Sequence, residues 1–321
     1  MPVAWFGLGL ALSRQTGVNL IVGAGGIRQE SPGPGPGRNR TGSQRVSQSV
    51  DLSTKANQNV VAFNEEAKID MSYQRDRKRV DRVMRATGIV VVMNKDHVKK
   101  PEDLLVTIQE VYHAGYVAEA TFRIEESILR EGMKELVKVR AAAPPDKPMV
   151  LGVGSVINPH ELEAAIEMGF DMVVAPANVM GGYGEGADFV KICQQHEVFS
   201  APAAFSPAEL QYFIERPDGL EPDAVKVFPA RSHGPKGVAD LLAPFVRDRH
   251  KGRIIMPTGA VDYETGPQYQ EAIRKRGFFP VLGMSAPLAL IDKEKKPGDR
   301  ECVRRSLSEF RERFQRTAAQ S

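Results

Sequence analysis

Residues 88–123 read GIVVVMNKDHVKKPEDLLVTIQEVYHAGYVAEATFR, and this stretch sets the pattern of the chain. The run Ile89–Met93 is short, β-branched and apolar, as a strand buried on both faces should be. Pro101–Gly115 is a longer amphipathic stretch that reads as a helix, and Tyr116–Thr121 begins the next strand. Glu125–Ala141 completes that second strand–helix pair. Six more pairs follow: Met149–Val153 with Asn158–Gly169, Phe170–Ala175 with Ala187–His196, and Val198–Pro202 with Ser206–Arg216. Then come Ala224–Phe228 with Lys236–His250, Arg253–Pro257 with Thr265–Arg276, and Phe279–Gly283 with Arg300–Thr317. Eight such units in a segment of this size predict an α/β protein, a (β/α)8 TIM barrel over residues 81–321.

Helix punctuation agrees. Asn158-Pro159 places a capping side chain before Pro at the first helical position, and Ser206-Pro207-Ala208-Glu209 adds a capping box. Gly115 and Gly169 stand where a helix end needs positive φ.

Residues 1–80 are read apart, as a basic, Gly/Pro-rich extension that is mostly disordered, with a linker over about 29–60. Val3–Leu12 is apolar, but no Lys or Arg precedes it, so it lacks the charged start of a secretory signal. Asn19–Gly26 reads as a strand running into a glycine turn. It is a poor dinucleotide fingerprint, because Arg28 stands where the third glycine belongs. Arg75–Arg85 is a basic run, interrupted and without aromatics, that reads as a solvated helix face and not as an RNA stripe. The 321 residues carry a formal charge of only +3, too little to call for nucleic acid, and contain no apolar run long enough to cross a membrane. Cys193 and Cys302 lie too far apart for a Cys-rich zinc site and suit a reducing, cytoplasmic compartment.

Catalytic groups of such a barrel come from the strand C-terminal ends. In Ala224-Val225-Lys226-Val227-Phe228-Pro229, alternation puts Lys226 and Phe228 on one face of a strand buried on both, so the amine is expected inside. A buried ammonium is costly and its pKa falls, and a neutral lysine is a nucleophile toward carbonyls. Glu119, Thr121 and Arg123 alternate on one face of the second strand. They offer a carboxyl to move protons and a guanidinium to clamp a substrate carboxylate, although a structural Glu–Arg pair would look the same. Strands three, four, seven and eight end in Gly152–Ser155, Ala175–Ala177, Pro257–Ala260 and Leu282–Ser285. The last two loops of this fold commonly cup a phosphate, with Gly259, Ala260, Gly283 and Ser285 offering donors.

The ordered set Glu119-Ala-Thr-x-Arg123, Gly152-x-Gly-Ser155-Val-x-Asn-Pro159, Ala175-Pro176-Ala177, Lys226-x-Phe-Pro229-Ala230 and Pro257-Thr258-Gly259 resembles the 2-keto-3-deoxy-6-phosphogluconate / 4-hydroxy-2-oxoglutarate aldolase family, over about residues 85–291. The resemblance implies a class I aldolase, an aldehyde-lyase, on a homotrimeric barrel that uses no metal and no cofactor. It implies that Lys226 forms a Schiff base with the keto acid and that Glu119 shuttles protons. Arg123, Ser155 and Thr258 would hold the pyruvyl carboxylate, Pro176 and Phe228 would shape the pocket, and Gly259, Ala260, Gly283 and Ser285 would receive a distal phosphate. The implied substrate is a 2-keto-3-deoxy sugar acid, cleaved to pyruvate and an aldehyde such as glyceraldehyde 3-phosphate, as in the Entner-Doudoroff pathway.

Departures from the family pattern bear on the aldehyde half. Ala260 and Met284 replace glycines and are expected to crowd the phosphate cup, the loop Asn178–Gly186 is longer than usual, and Arg231 and His233 replace Glu-Ala after the lysine strand. Two alternatives stand beside this reading. One is a Schiff-base lyase or decarboxylase on another 2-oxo acid such as 4-hydroxy-2-oxoglutarate, and the other is a non-catalytic barrel whose basic extension recruits a partner.

Overall fold

The β-branched runs form the strands of a closed parallel barrel. The computed structural model describes residues 73–176 and 188–320, all within the unit Glu66–Ser321. The apolar stretch Val3–Leu12, the turn Asn19–Gly26, the linker over 29–60, Ala177 and the loop Asn178–Gly186 lie outside the described residues. The strands are β1 (Ile89–Met93), β2 (Val117–Thr121), β3 (Leu151–Gly154), β4 (Met172–Val174), β5 (Phe199–Ala201, resuming after Pro202 as Ala203–Ala204), β6 (Ala224–Val227), β7 (Ile254–Pro257) and β8 (Phe279–Pro280 and Leu282–Met284). Every neighbouring pair is parallel. The ring closes because β5 and β8 are each split. The first half of β5 pairs with β4 and its second half with β6. The first half of β8 pairs with β7 and its second half with β1. A Thr258–Gly283 bridge spans the last gap.

Around the barrel run α1 (Arg77–Thr87), α2 (Pro101–His113), α3 (Glu126–Ala141), α4 (Pro159–Glu167), α5 (Phe189–Gln195), α6 (Pro207–Ile214), α7 (Gly234–Leu242), α8 (Thr265–Lys275), α9 (Ala289–Glu294) and α10 (Arg300–Ala318). The expected caps are in place. The Asn158 side chain accepts from the Glu161 N–H at 2.9 Å, and Ser206 and Glu209 form a reciprocal capping box. Gly115 and Gly169 take φ of 82° and 93°.

The core has two parts. One lies between strands and helices, with Val225, Val227, Leu282 and Met284 facing it. The other fills the lower lumen with Val90, Val117, Val150, Met172, Ala224, Ile254 and Val281. Strand alternation therefore carries residues two and four positions further along into the upper lumen.

Helix α1 starts at Arg77, four residues before position 81, and the basic run is not wholly solvated. Val80 and Met84 are buried and close the lower lumen, while Phe279 takes the Arg85 guanidinium over its ring. The start of α1 and the residues ahead of it are fastened to the strand N-terminal ends. The Tyr73 hydroxyl donates to Asp171 Oδ1 at 2.8 Å, Arg75 Nε donates to the Phe170 carbonyl at 2.9 Å, and Arg77 pairs with Asp223 at 2.9 Å. Asp171 is buried. It also accepts from Arg140 at 2.9 Å and from the Leu151 N–H at 3.0 Å, so its charge is matched on every side.

Candidate active site

Lys226 sits third on β6, on the lumen face above Ala224, and only 4% of it is exposed. No ion pair joins its amine to any described residue, and the nitrogen lies 4.7 Å from the Phe228 ring centroid. Burial lowers its pKa, and the negative charge of Glu119 opposes that shift. The amine is therefore eased toward its neutral, nucleophilic form.

Glu119 stands on the lumen face of β2, 1% exposed, paired in register with Gly152. Burial raises its pKa to about 6, with Lys226 pulling the other way. Each of the two groups is the other's charged neighbour. Glu119 Oε2 and Thr121 Oγ1 are buried and have no hydrogen-bond partner among the described residues, a costly arrangement in a finished core. Glycines make the room. A Cβ on Gly154 would overlap Glu119 Oε1, and a Cβ on Gly152 would overlap the Met172 methyl. The glycine ends of β3 thus serve as a recess for the carboxyl of β2.

Arg123 stands just beyond β2 at the exposed rim and reaches the Ser155 carbonyl at 3.5 Å. Ser155 and Ala260 adopt φ of 60° and 55°, the left-handed conformation that costs a side-chain-bearing residue about 1 kcal/mol or more. Such strain gathers at sites that need a fixed backbone direction. The two lie on opposite walls of one cavity of about 270 Å³. That cavity is lined by every residue expected at the site: Lys226 and Glu119, Arg123 and Ser155, Pro176 and Phe228, Thr258, Gly259, Ala260, Gly283 and Ser285. Val92, Asn94, Thr121 and Met284 line it as well.

At the β7–β8 side, Thr258 is buried and its hydroxyl donates to the Met256 carbonyl at 3.3 Å. Gly283 is pressed so close that a Cβ there would overlap Thr258 Oγ1. Gly259, at φ 96°, packs under the Phe228 ring. Among the described residues, the backbone N–H groups of Ala260 and Ser285 donate to nothing, whereas that of Gly259 is drawn into the Thr258–Gly283 bridge. Met284 lines the cavity, but the end of its side chain turns away from it. Its side chain belongs to the outer core, and its methyl lies against Gly266 of α8, outside the lumen. Alternation explains this: Gly283 faces in, so Met284 faces out. Neither Arg231 nor His233 lines the cavity; His233 stacks on Phe205 at 4.5 Å instead.

Asn94 and Thr121 carried no role in the sequence reading. Thr121 was visible on the face of Glu119, whereas an Asn at a strand end is also an ordinary loop signal. A wider groove of about 660 Å³ lies between α7 and α8. It is a surface cleft whose Lys275 and Arg276 are paired with Glu271 and Asp240.

The sequence model of a family described as "Aldolase: KDPG and KHG aldolase" matches residues 80–276. Solved structures share the fold. One described as native KDPGal is 17% identical, covers 73% of this chain and 96% of its own, and superposes at a TM-score of 0.54. The 2-keto-3-deoxy-6-phosphogluconate aldolase of Zymomonas mobilis ZM4, solved with 3-phosphoglycerate, is 22% identical over 73% and 97% of the two chains, with a TM-score of 0.52. The KDPG aldolase from Legionella pneumophila, solved with pyruvate as a covalent carbinolamine, is 20% identical over 70% and 97%, with a TM-score of 0.51. Among curated proteins, no sequence matches the chain.

Proposed function

The chain belongs to the KDPG and KHG aldolase family, and from that premise we propose that it cleaves a 2-keto-3-deoxy acid through a Schiff base on Lys226. The observation that carries this is the buried pair of Lys226 and Glu119, facing one cavity, with neither in an ion pair with any other described residue.

In this reading the neutral amine attacks the C2 ketone, and loss of water gives a protonated imine. The C3–C4 bond then breaks and its electron pair flows into the imine, leaving an enamine. Glu119 takes the proton of the C4 hydroxyl, directly or through one water, as that carbon becomes an aldehyde. The same carboxyl returns a proton to C3, and hydrolysis frees pyruvate and the amine. A carboxyl titrating at about 6 is suited to both directions near neutrality. Arg123, Ser155 and Thr258 hold the carboxylate and so fix the keto acid in register. Pro176 and Phe228 shape the wall around the imine.

A phosphate-terminated substrate such as 2-keto-3-deoxy-6-phosphogluconate is supported by the N–H groups of Ala260 and Ser285, which have no partner among the described residues, with Gly283 between strands leaving space. The Met284 methyl packs against Gly266 of α8, while Ala260 still lines the cup. A homotrimer belongs to the same proposal; exposed Ile157 and Phe205, at the ends of β3 and β5, are apolar groups a subunit contact would cover. So does a cytoplasmic place, supported by two free, buried cysteines.

The test is pyruvate release from 2-keto-3-deoxy-6-phosphogluconate and from 4-hydroxy-2-oxoglutarate, read with a coupled dehydrogenase. Wild type releases pyruvate, faster from the phosphorylated acid, and Lys226→Ala and Lys226→Arg release none. An active Lys226→Ala variant rejects the mechanism, and a preference for the unphosphorylated acid rejects the phosphate cup.

A further inference from the structure

Asn94 lines the cavity but has no part in the chemistry assigned to Lys226, Glu119 and Arg123. It continues the lumen face of β1: Val90 packs in the lower lumen, Val92 lines the cavity, and Asn94 comes next at the same spacing. Strand β1 pairs with β8 on one side and β2 on the other, so Asn94 stands between the Ser285 loop and the strand of Glu119.

Its amide is oriented. The backbone N–H of Asp96 donates to Asn94 Oδ1 at 2.7 Å. Only an oxygen accepts that bond, so the other terminal atom is the NH₂ group. Among the described residues Nδ2 donates to nothing.

The backbone beneath it is also held. Asn94 N–H donates to Nδ1 of His97 at 3.1 Å, and His97 is 0% exposed. Since Nδ1 accepts, the ring proton sits on Nε2, which faces Asp292 Oδ2 of α9 at 3.4 Å. The turn after β1 thus lies against the helix that follows the β8 loop, with His97 Nε2 close to Asp292 but not hydrogen-bonded to it. An unpaired donor kept in one place by buried contacts is what a recognition group requires.

We infer that Asn94 is a specificity-determining residue for the aldehyde half of the substrate, its Nδ2–H donating to a hydroxyl or carbonyl oxygen there. This rests on the Schiff-base reading. With C2 bonded to Lys226 on β6 and the carboxylate near Arg123, the remaining carbons run toward the β7 and β8 loops, beside β1. A neutral amide recognises oxygen lone pairs without attracting an anion for its charge.

Two variants separate recognition from structure. Asn94→Asp keeps an oxygen for the Asp96 N–H and removes the donor, whereas Asn94→Ala removes both. Two rates are compared in each protein. One is condensation of pyruvate with whichever of glyceraldehyde, its 3-phosphate and glyoxylate wild type uses fastest. The other is deuterium exchange into the pyruvate methyl, which involves no aldehyde and also reports that the barrel has folded around a working lysine. The ratio of condensation to exchange is expected to fall about tenfold in both variants, the scale of one lost hydrogen bond. A wild-type ratio in Asn94→Asp, with or without a defect in Asn94→Ala, overturns the inference and leaves Asn94 as a turn residue. Absence of exchange in wild type removes the Schiff-base reading, and this inference with it.

Discussion

At position 226 the chain puts an amine where a barrel of this kind would otherwise hold an aliphatic side chain, and that misplacement is what made it legible. A charged residue inside a strand buried on both faces is rare enough to carry meaning. Glu119 was legible for the same reason, and so was Gly283, through its place at a strand end. Asn94 was not, because polar residues at strand ends occur in every loop. The direction of the Met284 side chain follows from alternation, which its motif position does not show. The raised pKa of Glu119 has two consequences. In the proposed mechanism Glu119 acts as the base and must be ionised, so kcat/KM should rise with pH through about 6. A profile flat from pH 5 to 7 contradicts this, and Glu119→Gln should lower kcat about 100- to 10,000-fold. The folded state also binds the Glu119 proton more tightly than the unfolded chain. That contribution to stability is full below the ordinary glutamate range and is lost as pH rises through about 6, so this carboxyl becomes a burden at neutral pH.

At the scale of elements, the strands were readable to within about two residues because β-branched runs and glycine or proline stops bound them. What local pattern did not show was how the ring closes. Both β5 and β8 break in the middle, at Pro202 and Val281, and change partners there, a tertiary choice that no periodicity encodes. The short helix α9 was also missed, being only Ala289–Glu294 and less than two turns long. Neighbouring strands divide the work at the site: β2 supplies the carboxyl and β3 supplies the absence of side chains that admits it. Gly154→Ala should therefore disturb Glu119 before it disturbs the barrel. We expect kcat at least tenfold lower with the far-ultraviolet dichroism and melting cooperativity of wild type. Full activity in that variant would show that the carboxyl needs no recess.

Across the molecule, the two ends of the barrel are built for different ends of its task. The strand C-terminal side leaves the Glu119 and Thr121 oxygens without partners among the described residues, while at the N-terminal side both oxygens of Asp171 are hydrogen-bonded and α1 closes the lumen. Asp171→Ala should cost about 3–5 kcal/mol, because Arg140 would be left charged and buried without its partner. Urea titration at pH 7 checks this, and a loss under about 1 kcal/mol would mean that Arg140 finds another acceptor. The cost belongs to stability and should leave kcat near wild type in the folded fraction, since the Asp171 end lies below the cavity. The proposed chemistry depends on one bond, between Lys226 and the keto carbon of pyruvate. Borohydride added to the protein with pyruvate should leave one covalent adduct per chain in the intact mass, mapped by peptide fragmentation to Lys226 and absent from Lys226→Ala. An unmodified wild-type chain, or an adduct on another lysine, would contradict the account.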